Sequence, residues 1–353
     1  MATISLCMIV KNESAVLARC LDSIADLMDE IIIVDTGSTK EIAAQYTSRI
    51  YDFKWTSDFS AARNFSFSKA TMEYIYTADA DEILDDANRE RFLRLKDALL
   101  PEIEIVQMKY VTQGTFDTVL NAKKEYRPKL FRRLRTFTWI DPIHETVRLT
   151  PVTFDSDVEI LHCPQSLHSK RDFSIFIKAF EHDGQFSPKI RTMYAKELLK
   201  TGDKKDFTDA KPIFQLIFDN DPADDARKEA ACVLARIYRM EDNKNEFFKL
   251  TMKDMLITPC AEICYELGTY FVGQRDYAEA VLWFYNAAYE TESILDVHTS
   301  GDLPLLGLVE CYETLLAGEE AKIPSDTALT IQYEMMLDKY REASRDWRMP
   351  EET

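Results

Sequence analysis

Up to about residue 110 the chain alternates short, almost wholly apolar runs with stretches whose apolar positions recur at helical spacing. "TISLCMIV" reads as a strand. "ESAVLARCLDSIADL" reads as a helix with Val16, Leu17, Cys20, Leu21 and Ile24 on one face, and "EIIIVD" as a second buried strand. A short helix "EIAAQY", a strand near "RIYDF", a helix "FSAARNFSFSKAT" and a strand "EYIYTA" follow. Strands that are apolar on both faces and alternate with helices predict a parallel sheet covered on both sides. From about 101 to 162 the strand-like pieces "IEIVQMKYV", "YRPKLFRR" and "VEILH" come with few helical stretches, as expected where a mixed sheet completes the α/β core. After about residue 170 the pattern is helical throughout.

In that second region "AEICYELGTYFVGQRDYAEAVLWFYNAAYE" places Leu267, Gly268, Phe271, Ala280, Phe284 and Ala287 where a tetratricopeptide repeat puts its packing residues. The stretch 33 residues earlier has Ala235 and Tyr238 in register and Pro259 closing it, and "FTDAKPIFQLIFDNDP" ends a more degenerate unit. The expectation is two domains: an α/β domain over 1–168 and an irregular helical-repeat domain over 169–353. An ordinary helical bundle is the competing reading of the second.

Composition narrows the function. With 353 residues, 46% hydrophobic positions and 9 glycines, the chain is globular and long enough for two cores. A formal charge of −18 argues against nucleic acid as a partner, and an anionic substrate then needs a locally basic or metal-filled pocket. Seven cysteines without CxxC spacing read as reduced thiols of a cytoplasmic protein. Cys260 and Cys264 are expected to be core. "ISLCMIV" is too short to span a bilayer and follows no basic segment, so neither a transmembrane segment nor a signal peptide is expected.

In an open α/β sheet ligands bind at the carboxyl ends of the strands. Three polar clusters fall there: Lys11, Asn12 and Glu13 after the first strand, "DTGST" from Asp35 after the second, and Asp79 and Asp81 after "EYIYTA". Each has a plainer reading. Asn12 could be a helix N-cap, Asp35 a turn cap, and Asp85 and Asp86 a helix start. That last reading does not reach Asp79 and Asp81, for which a divalent cation between carboxylates is the sharper explanation. An EF-hand is excluded, because Ile83 and Leu84 stand at the fifth and sixth loop positions counted from Asp79. Arg63 and Asn64 form a further polar pair inside a predicted helix.

The segments "ISLCMIVKNESAVLARCLDSIADLMDEIIIVDTGST", "FKWTSDFSAARNFSFSKA" and "YTADADEIL" resemble glycosyltransferase family 2, in its bacterial branch that joins a GT-A catalytic domain to tetratricopeptide-like repeats. The resemblance covers residues 3–163 by motif and the remainder by architecture. It implies an inverting transferase using a nucleotide sugar, usually a UDP-sugar, with Mn²⁺ or Mg²⁺. Val10, Lys11, Asn12 and Glu13 would border the nucleotide, Asp35 the uracil edge, Arg63 the base or diphosphate and Asp79 the ribose. Asp81 would hold the metal, with His162 of "EILHCP" completing its shell. In "WIDPIHETV" Glu145 is the expected general base, with His144 and Asp141 as competitors. One departure is visible: after "VDTGST" the chain runs directly into a helix at Lys40 and Glu41, about three residues shorter than relatives. The expected acceptor is a peptide or protein, with a cell-envelope glycan or lipid-linked sugar next. Oligomerisation stays open. The rival functions are a repeat-type protein-binding module with a silent GT-A domain, and a nucleotidyltransferase, for which the Gly-rich phosphate loop is missing.

Overall fold

The structure is a computed structural model that describes residues 1–350 apart from 38–39, 113–123, 148–149, 164–168, 256–258 and 323–325. Ser38 and Thr39 of the "DTGST" cluster lie outside the described residues. The chain divides into two compact units, Met1–Gly184 and Gln185–Pro350.

The first unit alternates as its apolar runs dictate: β1 (Ile4–Val10), α1 (Ser14–Ile24), β2 (Glu30–Asp35), α2 (Lys40–Ala43), β3 (Ile50–Asp52), α3 (Phe59–Phe67) and β4 (Tyr74–Ala78). It continues through β5 (Glu82–Ile83), α4 (Asp86–Ala98), β6 (Ile105–Thr112), β7 (Lys124–Arg132), β8 (Trp139–Ile140), β9 (Thr146–Val147), β10 (Thr153–His162) and α5 (Ser169–Asp183). Eight strands form one mixed sheet in the order β3-β2-β1-β4-β7-β6-β10-β5, with β1 to β4 parallel and β7 antiparallel to both its neighbours. Residues of β1 and β4 alternate between two apolar clusters, Leu6 and Tyr76 on one side and Cys7 and Ile75 on the other, so both faces are covered. β5 closes the outer edge of β10 only at Leu161 and His162.

α5 was expected to open the helical region but belongs to the first unit. Its Phe173, Ile175 and Phe176 are buried, and Phe176 lies 5.9 Å from the His144 ring. An amphipathic helix packs wherever its apolar stripe finds a partner, and a change of periodicity does not say where that is.

The second unit comprises α6 (Pro188–Thr201), α7 (Lys204–Asn220), α8 (Asp224–Met240), α9 (Lys244–Met255), α10 (Ala261–Gly273), α11 (Tyr277–Tyr285), α12 (Asp302–Glu320) and α13 (Thr327–Asp346). Each of α8, α10 and α12 packs on the helix that follows it and on its counterpart one hairpin earlier, as stacked helical hairpins require. The small residues expected at the hairpin contact do what their size allows. A Cβ on Gly268 would lie 2.6 Å from the Phe284 ring, and one on Gly307 would lie 2.7 Å from it. Phe284 thus occupies space that glycines on α10 and α12 leave open.

Ion pairs fix the helices laterally. Glu266, 1% exposed, accepts from Arg236 Nε and Arg239 Nε at 2.6 Å each, and Glu229 accepts from Arg191 Nε at 2.7 Å. Burial alone would raise the Glu266 pKa, but Arg236 and then Arg239 outweigh it and hold it below the usual carboxylate range. A depressed carboxylate contributes stability that is present above its unfolded-state pKa, about 4.3, and is lost as pH falls through the lower folded value. Glu266→Gln is expected to cost about 3 kcal/mol near neutral pH, the usual effect of removing one partner from a buried pair. Urea unfolding of the full chain should show the difference between variant and wild type shrinking below about pH 4. A difference independent of pH would mean that the glutamate's shape, not its charge, is what counts.

Candidate active site

The carboxyl ends of the parallel strands are level with one another. Val10 pairs with Asp35 across β1 and β2, and Met8 pairs with Ala78 across β1 and β4, so the three polar clusters leave the sheet at one edge. Lys11 is exposed there, 5.6 Å above the Trp55 ring, and Glu13 stands at the N-cap of α1. Asn12 does not cap: it adopts a left-handed backbone with φ 57°, one residue before the N-cap. Asp35 is 3% exposed and its Oδ1 accepts from Gly37 N at 2.8 Å, which is the turn-capping role. Gly37 is needed where it is, since a Cβ there would meet Asn12 Oδ1 at 2.6 Å. Asp85 caps α4, accepting from Asn88 N at 2.9 Å.

Asp79 and Asp81 diverge from this edge. Asp79 Oδ1 accepts from Arg63 Nη2 at 3.2 Å, and Arg63 Nε donates to Glu145 Oε1 at 2.6 Å. One guanidinium on α3 therefore joins the carboxylate after β4 to the one before β9. Asp58 caps α3 by accepting from Ala61 N, and Asn64 pins β8 to α3 by bonding both Trp139 O and Trp139 N. This brings the Trp139 ring to 5.3 Å from the Arg63 guanidinium. Partial withdrawal from solvent would raise the Asp79 pKa, but Arg63 and Lys129 outweigh it and hold the carboxyl well below its usual range. Burial would likewise lower the Arg63 pKa, and the charges of Glu145 and Asp79 more than reverse that, so the guanidinium stays charged.

Asp81 Oδ2 lies 3.2 Å from His162 Nε2, while His162 Nδ1 is buried with no hydrogen-bond partner among the described residues. The imidazole ring packs tilted against that of Tyr110, their centroids 4.9 Å apart. A carboxylate oxygen beside an imidazole nitrogen at the open end of a sheet suits Mn²⁺ or Mg²⁺, with further ligands supplied by a phosphate substrate. The neighbouring Glu82 is committed elsewhere, to Lys129 Nζ at 2.5 Å.

The competitors for base are separated. Asp141 has φ 73° and its Oδ2 accepts from Thr146 Oγ1 at 3.5 Å; His144 has φ 49° and its ring faces Phe176. Of the three, Glu145 is the one tied to Arg63, and its Oε2 takes no hydrogen bond among the described residues. Non-glycine residues with left-handed φ cost energy and persist where the surroundings hold them, and Asn12, Asp141 and His144 all belong to the loops of this edge. Sequence reading missed Trp139, Tyr110, Arg127 and Lys129, whose charged or aromatic side chains alternate along strands as solvated or core positions do.

The family described as Glycosyl transferase family 2 matches residues 5–149. Among curated proteins, a TPR repeat-containing protein of Synechococcus elongatus is 47% identical over 87 residues, covering 24% of this chain and 22% of that protein. The SPbeta prophage-derived glycosyltransferase SunS of Bacillus subtilis is 31% identical over 131 residues, covering 35% of this chain and 31% of its own. The lipopolysaccharide core biosynthesis glycosyltransferase LpsC of Rhizobium meliloti is 35% identical over 100 residues, covering 26% and 33%. The chain thus spans a third or less of the length of these relatives. Among solved structures, glucosyl-3-phosphoglycerate synthase from Mycobacterium tuberculosis, in complex with Mn²⁺, UDP-glucose and phosphoglyceric acid, aligns with a TM-score of 0.39 at 17% identity, covering 53% of this chain and 82% of that one.

Arg63 is the largest of the charges that lower the Asp79 pKa, ahead of Lys129 and Arg127. Arg63→Met is expected to raise the pH at which Asp79 titrates, followed by carboxyl-carbon NMR on the full chain. An unmoved titration would show that Lys129 and Arg127 suffice to hold the charge.

Proposed function

Because residues 5–149 match glycosyltransferase family 2, we propose that the chain moves a sugar from a UDP-sugar to a hydroxyl acceptor with inversion at the anomeric carbon. The observation that carries this reading is Arg63 spanning Asp79 and Glu145 at the carboxyl edge of the sheet. It supports the reading because the two carboxylates that the reading assigns to donor and acceptor share a single cation.

In this reading Val10 and residues 11–13 border the nucleotide, Asp35 accepts from the uracil edge and Asp79 from the ribose. Asp81 and His162 hold a divalent ion, which when bound offsets the negative charge of the diphosphate. Glu145 Oε2 accepts the proton of the acceptor hydroxyl as its oxygen attacks the anomeric carbon. The bond from that carbon to the diphosphate oxygen breaks, and its electron pair leaves with UDP. Arg63 holds the other Glu145 oxygen, which fixes the carboxylate's orientation. A single displacement of this kind needs one carboxylate and forms no covalent enzyme intermediate.

The second unit is proposed to select the acceptor, a peptide or protein before a glycan, since stacked helical hairpins present long surfaces to extended chains. Among the described residues no helix is long and apolar enough to cross a membrane, and the cysteines are unpaired as disulfides, in keeping with a cytoplasmic site of action.

Donor hydrolysis and transfer should stop in excess EDTA and return with Mn²⁺ more fully than with Mg²⁺. Asp81→Asn should remove most of the ion-stimulated donor hydrolysis while circular dichroism stays unchanged; full activity in EDTA defeats the metal assignment. Glu145→Gln should lower transfer to a hydroxyl acceptor by about 10²-fold or more, the usual contribution of a general base. UDP affinity by calorimetry should stay near that of the wild type. If Asp141→Asn abolishes transfer while Glu145→Gln leaves it near normal, the base is Asp141.

A further inference from the structure

β7 runs antiparallel to β4, with Leu130 opposite Tyr76, so the residues before Leu130 extend beyond the carboxyl end of β4 toward Asp79. Three cations stand on this stretch that the proposed reaction does not use, and Lys124 is paired with Glu159. Lys129 is 5% exposed and its Nζ is taken by Glu82. Arg127 is placed differently. Its side chain is 34% exposed, its Nε donates to Glu125 Oε1 at 2.5 Å, and among the described residues its terminal nitrogens have no protein acceptor.

The guanidinium packs over an aromatic ring, with its carbon 3.8 Å from the centroid of Tyr110. Tyr110 is on β6, between β7 and β10 in the sheet, and its ring also meets that of His162. Arg127, Tyr110, His162 and Asp81 therefore form a continuous row along the edge. The charge of Arg127 is also among those that depress the Asp79 pKa.

We propose that Arg127 is a specificity-determining residue that donates its free terminal N–H groups to a phosphate oxygen of a nucleoside diphosphate. This rests on the nucleotide-sugar reading of the same edge. A diphosphate approaching Asp79, Asp81 and Glu82 meets like charge on a chain that is acidic as a whole. A guanidinium with unfilled donors, packed over a ring that limits its rotamers, supplies the counter-charge and a planar fork suited to phosphate. The residue would make the site discriminate a nucleoside diphosphate from the bare nucleoside, which the carboxylates that contact base and ribose do not do.

The test uses the full chain with Mn²⁺ and measures UDP and uridine binding by calorimetry for wild type, Arg127→Ala and Arg127→Lys. Arg127→Ala is expected to weaken UDP about tenfold or more, the loss of hydrogen bonds to a charged group. Uridine affinity should be unchanged, and the dependence of UDP binding on salt should become shallower. Arg127→Lys should recover part of the loss, because it keeps the charge without the fork. The inference is overturned if Arg127→Ala keeps the wild-type ratio of UDP to uridine affinity, whether both hold or both fall together. If wild-type protein binds neither probe, the nucleotide-sugar reading fails first and takes the inference with it.

Discussion

The catalytic edge is organised by one cation. Arg63 comes from the middle of a helix, is largely withdrawn from solvent and has a carboxylate on either side, from Asp79 and Glu145. A lone guanidinium in that position would be costly, and so would either carboxylate; together they satisfy one another. The positions of the other parts follow. The loop before β9 is drawn to α3 because Glu145 must reach Arg63, and the short β8–β9 ribbon is held to the same helix by the Asn64 bonds to Trp139. Asp79 is turned toward α3, which leaves Asp81 facing the other way, to His162 on β10. The divergence of two carboxylates only two residues apart gives the edge two separate pairs, one with Arg63 and one with His162.

Much of this was legible in the chain. Apolar runs and helical spacing gave the order of β1 to β4 and their helices, and the polar residues that follow each run mark the functional edge because side-chain period and strand length fix where a strand stops. The approach of Asp81 to His162 followed from the family resemblance. The bond between Arg63 and Glu145 did not, since it joins residues 82 apart and nothing in either segment names the other as its partner. The plainer reading of Asn12 as a helix cap could not be set aside from residue type, which suits both a cap and a left-handed bend, and only the backbone distinguishes them. Tyr110 and Arg127 were invisible for a related reason: on neighbouring strands their contact depends on register, which alternation alone does not specify.

The acidity of the chain as a whole sets a condition on the site. A net charge of −18 repels any anionic ligand at long range, and salt screens that repulsion over about 8 Å at physiological ionic strength. Within that distance local charges decide. Arg63, Arg127 and Lys129 meet at the edge where Asp79, Asp81 and Glu82 also converge, so the pocket mixes both signs at close range instead of presenting a uniformly basic face. Such an arrangement favours a ligand that brings its own mixture of charge, as a metal-chelated diphosphate does.

In the helical unit, the Phe284 ring fills the gaps left by Gly268 and Gly307 on two different helices. A side chain at either glycine collides with the ring, and a smaller residue at 284 leaves a void bordered by both. The three positions are thus sterically coupled, and a single substitution at any of them either crowds the ring or empties its site. The exposed positions nearby, such as Leu282 and Leu306, carry no such obligation, so the unit can diversify the surface it offers to partners while its internal spacing stays fixed.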